Sequence, residues 1–148
     1  MERSYIPIEI TPAVAQRCRR LERLFGGAAI GQTFGITLRY GEDGLPVFAM
    51  ADNPRLRHGM GDTHGGAIAT LLDNAGWFAV ALHYETWIAT VELQTRLLEP
   101  CRNEDLVATG WPVRVGKRIG VAEMEVRTST GRLVATGAGT FTVTGLTL

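Results

Sequence analysis

The run His64 to His83, HGGAIATLLDNAGWFAVALH, is twenty residues long and almost wholly apolar, yet it carries one carboxylate near its middle. As a helix it would span roughly 30 Å, about the width of a small domain. Its apolar residues leave no consistently polar face, and a helix that is apolar all round is buried. The rest of the chain must therefore wrap it. Asp73 is the residue this leaves to explain, because a lone ionised side chain in a core costs on the order of several kcal/mol unless something pairs with it.

Length and charge narrow the alternatives. The chain has 148 residues, the size of one domain with room for a sizeable core. We expect a helical N-terminal extension over about 1–27 and a folded core over about 30–145. Fifteen Lys and Arg balance fifteen Asp and Glu. No net field is available to hold nucleic acid or an anionic membrane, so any anionic ligand must be met locally. The opening residues MERSYIP contain no long apolar run of the secretory kind, which makes the cytoplasm the expected location. The 64–83 run makes a poor membrane span, since Gly65 and Gly66 open it and Asp73 and Asn74 interrupt it. Cys18 and Cys101 stand far apart without companion ligands, so neither a metal site nor a disulfide is expected, only ordinary thiols with some burial.

Thr11-Pro12 supplies a helix cap and a first-turn proline, and Val14, Cys18, Leu21 and Phe25 recur at helical spacing until Gly26-Gly27. This predicts a helix over about 12–25. Its charges, Arg17, Arg19, Arg20, Glu22 and Arg23, read as a solvated face, with a phosphate patch as the alternative. Residues 34–40 and 45–50 are strand-like and flank Gly41-Glu-Asp-Gly44, a hairpin signature. Residues 52–63 have no apolar period and read as a loop feeding the long helix. Four β-rich runs follow, at 86–98, 106–115, 119–128 and 132–143, with separators too short for a crossover helix. The plan is α+β, an antiparallel sheet of about six strands around one central helix. Glu123, Glu125 and Arg127 alternate imperfectly with Val121, Met124 and Val126, which predicts one wet sheet face or a lightly packed interface.

A sheet of this order around a helix that opens His64-Gly65-Gly66 and carries Asp73-Asn74-Ala75 resembles the hotdog fold, and more narrowly the phenylacetate-degradation (PaaI-like) type of acyl-CoA thioesterase. Residues Thr90 to Pro100 and Gly131 to Phe141 are similar to that family's strand after the helix and its last strand. The resemblance implies a hydrolase that cleaves an aryl- or medium-chain acyl-CoA to free acid and CoA. It implies no cofactor beyond the CoA of the substrate, and a homodimer with shared sites, often within a tetramer.

Gly65 and Gly66 fall where the first unpaired N–H groups of the helix point, a place that favours developing negative charge. The competing reading is that they permit close helix packing. Asp73 is the candidate general base or nucleophile, against an Asp paired with a buried Arg or capping a neighbouring loop. Gly66 and Asp73 share a helix face but lie about 10 Å apart along the axis. One helix cannot bring both to one carbonyl, so a shared site needs a two-fold partner.

The resemblance places Thr90 at a position whose hydroxyl helps hold water, against an ordinary β-branched strand residue; His64 is a candidate for binding substrate or orienting the loop, against a histidine that caps and packs; and Asn74 is placed beside the substrate by the motif. His58 stands where the family commonly has Asn, six residues before the His-Gly-Gly, and Arg96 stands where small polar residues are usual. Arg114, Lys117 and Arg118 are candidates for the CoA phosphates, against solvated turn residues. Trp77, Phe78 and Trp87 are candidate walls of an acyl channel, against ordinary core. Two other functions compete. Asp52-Asn-Pro and His58 suggest a hotdog hydratase, but the spacing departs from its Asp-x-Asn-Pro-x-His pattern. A non-catalytic acyl-CoA binding or sensing module is the other, and the presence of Asp73 argues against it.

Overall fold

The computed structural model describes residues 3–148; Met1 and Glu2, part of the expected N-terminal extension, lie outside the described residues. The first helix, α1 (Pro12–Gly26), begins as expected: Thr11 Oγ1 accepts the Val14 N–H at 3.2 Å, and Pro12 occupies the first turn, where its missing N–H costs nothing. Cys18, Leu21 and Phe25 form its buried stripe.

A second helix, α2 (Ala29–Phe34), was not expected, and it takes Phe34 out of the predicted strand. Its end explains the shift. Gly35 adopts φ 70°, a left-handed conformation that costs glycine little, and its N–H caps the Gly31 carbonyl. The strand β1 (Ile36–Tyr40) starts only after this turn and pairs with β2 (Pro46–Met50) as the predicted hairpin.

The long apolar run forms α3 (Gly65–Ala81), shorter at both ends than 64–83 because His64 is its cap and the chain turns at Leu82. Eleven of its 17 residues are buried. Around it run β3 (Thr86–Leu97), β4 (Leu106–Val115), β5 (Ile119–Thr128) and β6 (Leu133–Thr147), the last reaching beyond the expected end at 143. The sheet order is β1-β2-β4-β5-β6-β3, with every pairing antiparallel. The sheet curls so that α3 packs against β2 through β6, while α1 packs against β1. Phe25, Phe48 and Phe78 meet edge to face at 5.0–5.5 Å and join α1, the sheet and α3 in one core.

Two glycines set how deeply α3 sinks into the sheet. A Cβ on Gly110 of β4 would collide with the Ala75 backbone carbonyl, and one on Gly76 would fall 2.8 Å from Met124 Sδ and 2.9 Å from Phe141 Cζ. The close packing considered for Gly65-Gly66 also holds at Gly65, where a Cβ would fall 2.5 Å from Leu97 Cδ1 of β3, while at Gly66 the nearest side chain is the capping His64. The wet face predicted for Glu125 is also corrected. Glu125 is 8% exposed, bonded by Arg127 at 2.9 and 3.2 Å and by Arg3, which stacks 4.2 Å from the Trp111 ring. Burial pushes its pKa up, but the bonds from Arg127 and Arg3 outweigh burial and hold the carboxylate below its ordinary value. Both cysteines are buried and free. Among the described residues, no helix is long and apolar enough to cross a membrane.

Because the atom opposing Gly110 is backbone and cannot swing aside, Gly110→Ala should destabilise the fold by about 1–3 kcal/mol. Urea unfolding should show a lower midpoint at an unchanged slope, whereas wild-type stability in this variant would mean that α3 does not rest on β4 here.

Candidate active site

Asp73 sits at the margin of the buried surface of α3, half-buried rather than enclosed. It opens on a groove of about 390 Å³ whose apolar walls are Leu24, Phe25, Ile30, Trp77, Phe78 and Trp87. Trp77 is fixed by its indole N–H, which donates to the Ile88 carbonyl at 2.9 Å, and it meets Trp87 with ring centroids 4.9 Å apart. Leu24, Ile30 and Trp87 are 43%, 43% and 38% exposed, an unusual concentration of bare apolar surface beside a carboxylate. Asn74 lines the same groove, its amide donating back to the Thr70 carbonyl at 2.8 Å.

The partner of Asp73 is Thr90 on β3, whose hydroxyl donates to Oδ1 at 2.9 Å. Among the described residues no cation pairs with this carboxylate, so the buried-Arg alternative is not what the fold provides. Burial raises its pKa, and the Thr90 bond opposes that shift only in part. A carboxylate held this way is a stronger base than an exposed one and stays accessible from the groove.

The N-terminal end of α3 holds the second cluster. His64 Nδ1 accepts the Gly66 N–H at 2.8 Å. Gly66 is thereby satisfied within the chain, whereas the Gly65 N–H has no acceptor among the described residues. The two glycines were expected to offer their donors together; the geometry leaves one free, at Gly65. Gly65 faces a cavity of about 260 Å³ that it shares with His58, Thr63, Ile68 and Leu97. His58 Nδ1 accepts from the Met60 N–H at 3.1 Å, and its Nε2 lies 3.8 Å from Asp62. The feeding loop is pinned where it meets the helix, with Arg57 bonded to Asp52 at 2.6 Å and the Thr63 N–H to the Cys101 carbonyl at 2.9 Å.

Asp73 and Gly65 thus face different cavities, eight residues or about 12 Å apart on one rigid helix. Thr90, Asn74, Trp77, Phe78 and Trp87 gather around Asp73; His58 gathers with Gly65. Arg114 lies on β4 and Lys117 and Arg118 lie in the turn between β4 and β5, and none of them lines either cavity. Arg96 opens instead on the outer sheet face, beside Trp111 and Glu123. The part of the groove that sequence reasoning missed is its α1–α2 wall. Leu24 falls off the buried stripe of α1, and an apolar residue left over on a helix is the signal that pointed there. No group of three or more His, Cys, Asp or Glu side chains is arranged to hold a metal among the described residues.

The model of the thioesterase superfamily matches residues 60–135, just over half of the sequence, and the chain belongs to that superfamily. Over 95 residues the chain is 43% identical to a Halobacterium salinarum protein whose name carries a provisional esterase assignment. That match covers 57% of this chain and 62% of the relative, so the chain spans less than two thirds of that protein. Among solved structures, the E. coli PaaI protein from the phenylacetic acid degradation operon is similar with a TM-score of 0.81, at 22% identity over 91% of this chain and 96% of that one. A Bacillus halodurans protein solved with CoA gives a TM-score of 0.75 at 27% identity, covering 89% of each chain. The fold is the hotdog fold that the sequence resembled.

The raised pKa of Asp73 has a consequence for stability. The native state holds the Asp73 proton more tightly than the unfolded chain does, which adds stability at low pH that is lost as pH rises through the raised value. Asp73→Asn should therefore raise the melting temperature at neutral pH and lose that advantage in acid, as calorimetric melts across pH would register. Thr90→Val removes the bond that opposes the shift, so the titration of the Asp73 carboxylate followed by NMR should move to higher pH.

Proposed function

We propose that the protein is an acyl-CoA thioesterase of one hotdog domain, with Asp73 as general base or nucleophile and the Gly65 N–H of a second subunit as the oxyanion donor. The observation that carries this reading is a half-buried carboxylate with a raised pKa, no cationic partner among the described residues and an apolar groove in front of it.

As general base, Asp73 takes a proton from water while the hydroxide adds to the thioester carbon. The carbonyl oxygen becomes an oxyanion, for which a helix N-terminal N–H is a suited donor. Collapse of the tetrahedral intermediate breaks the C–S bond. The CoA thiolate receives the proton, and the acid departs. If Asp73 attacks directly, the C–S bond breaks as a mixed anhydride forms and the CoA thiolate leaves to take up a proton, and water then cleaves the anhydride to the acid and the regenerated Asp73 carboxylate. Thr90 orients the carboxylate, His58 lies where it can donate near the carbonyl, and the aromatic walls receive the apolar part of the substrate. CoA serves as part of the substrate, with no other cofactor in this scheme. That a similar fold has been solved with CoA supports this choice of thiol.

The dimer follows from the separation of the half-sites and from β3. This strand is an edge of the sheet, twelve residues long, with Val91 62% exposed and Leu97 54% exposed. A long apolar edge with unpaired backbone groups favours pairing with another strand. Two copies joined there, and assembled further into a tetramer, would cover it.

Thiol release from a panel of aryl- and medium-chain acyl-CoA substrates should fall about 10²- to 10⁴-fold in Asp73→Asn; near wild-type turnover in that variant would remove Asp73 from the mechanism. The shared site has its own test. Gly65→Pro deletes the N–H at a first helical position that accepts proline, and the extended ψ of 136° at His64 suits a following proline. Each variant alone should be inactive, and their co-expressed mixture should recover a measurable fraction of wild-type activity. No recovery would place base and donor in the same chain.

A further inference from the structure

Beyond Leu24 lies a larger cavity, about 730 Å³, between α1 and the segment that follows α3. Leu24 lines both this cleft and the Asp73 groove, and on the opposite side Glu85 lines the cleft while Trp87 lines the groove. The cleft is therefore next to the groove, separated from it by one exposed side chain of α1. Its chemistry is the reverse of the groove's. Arg17, Arg20 and Arg23 enter it from one face of α1 at three-residue spacing, which sets like charges side by side.

The carboxylate side chain in the cleft is that of Glu85, and it holds Arg17 at 3.3 Å while the Leu82 carbonyl holds it at 2.7 Å. Arg20 and Arg23 are exposed and have no hydrogen-bond or ion-pair partner among the described residues. The positive field reaches His83, whose imidazolium is disfavoured first by burial and then by Arg17. Arg17 is matched by Glu85, so the exposed guanidiniums of Arg20 and Arg23 give the cleft, whose wall also includes Leu148, its cationic character.

We propose that the cleft binds an anionic group at the far end of the substrate whose uncharged part occupies the groove, with Arg20 and Arg23 as its ligands. The guanidinium fork matches a carboxylate or a phosphate, and two unpartnered forks beside one apolar groove suit a ligand that is apolar in the middle and anionic at its end. The inference rests on the acyl-CoA reading of Asp73. Such an anion has two sources, a terminal carboxylate on the acyl chain or the phosphates of CoA.

The double variant Arg20→Gln/Arg23→Gln separates them on three thioesters of one acyl group: the acyl-CoA, the acyl-CoA carrying a terminal carboxylate, and the N-acetylcysteamine thioester, which has no nucleotide. If the acyl carboxylate is the ligand, KM should rise at least about tenfold more for the carboxylated substrate than for the other two. If the phosphates are the ligand, it should rise by that margin for both CoA substrates relative to the N-acetylcysteamine thioester. Equal effects on all three overturn the inference. Calorimetric titration with 3′,5′-ADP and with a straight-chain dicarboxylate reads the cleft without turnover. Binding of either by the wild type, weakened in the double variant and by added salt, sustains the cleft even where no thioester is cleaved, an outcome that would sink the Asp73 reading instead. Binding of neither overturns the cleft.

Discussion

The enclosure of α3 governs the rest of the molecule. Eleven of the 17 residues of α3 are buried, so the sheet has to curl around it and a further element has to cover the remaining side, where the stripe Gly66, Ala69, Thr70, Asp73 and Asn74 keeps some exposure. The sheet does its part through Gly76 and Gly110, which let helix and strand backbones approach more closely than any side chain would permit. α1 and α2 do theirs incompletely. Phe25 reaches Phe48 and Phe78, but Leu24 and Ile30 stop short of sealing α3, and the gap they leave is the groove in front of Asp73. The carboxylate is tolerated because it stands at that gap. It is desolvated enough to raise its pKa and open enough to need no buried cation.

Much of this was legible in the sequence, and what was not has identifiable causes. The long helix, the hairpin and the four later strands follow from apolar runs and their punctuation, and their boundaries fall within a few residues of the structure. The exception at the last strand is Leu133–Thr147, where alternating Thr and Gly gave no cue that pairing with β3 continues. α2 was hidden because six residues carry too little period to register, and its end depends on a backbone conformation of Gly35 rather than on composition. Glu125 looked solvent-facing because its partner Arg3 is 122 positions away in the chain. At the site, Asp73 and Thr90 were both legible, but that they would meet each other at 2.9 Å was not. The division of labour between Gly65 and Gly66 was equally hidden, since it depends on the orientation of the His64 ring, which no spacing encodes.

That division sharpens the case for a site built from two chains. With both glycine N–H groups free, a ligand oxygen could choose between donors pointing in different directions around the helix start. With Gly66 capped by His64, the free donor is Gly65, which faces the His58 cavity and not the Asp73 groove. No rotation of side chains closes this gap, because both groups are fixed to one helix and the helix is locked into the sheet by backbone contact at Gly110. On the mechanism proposed above, base and donor would converge on one carbonyl only if another copy supplied the missing half. The exposed β3 edge, continuous with Thr90, is the surface whose pairing would bring that copy alongside Asp73. On that mechanism the strand that orients the base would also recruit the donor, so a substitution that weakens edge pairing should lower turnover together with self-association, even where Asp73 and Gly65 are both intact.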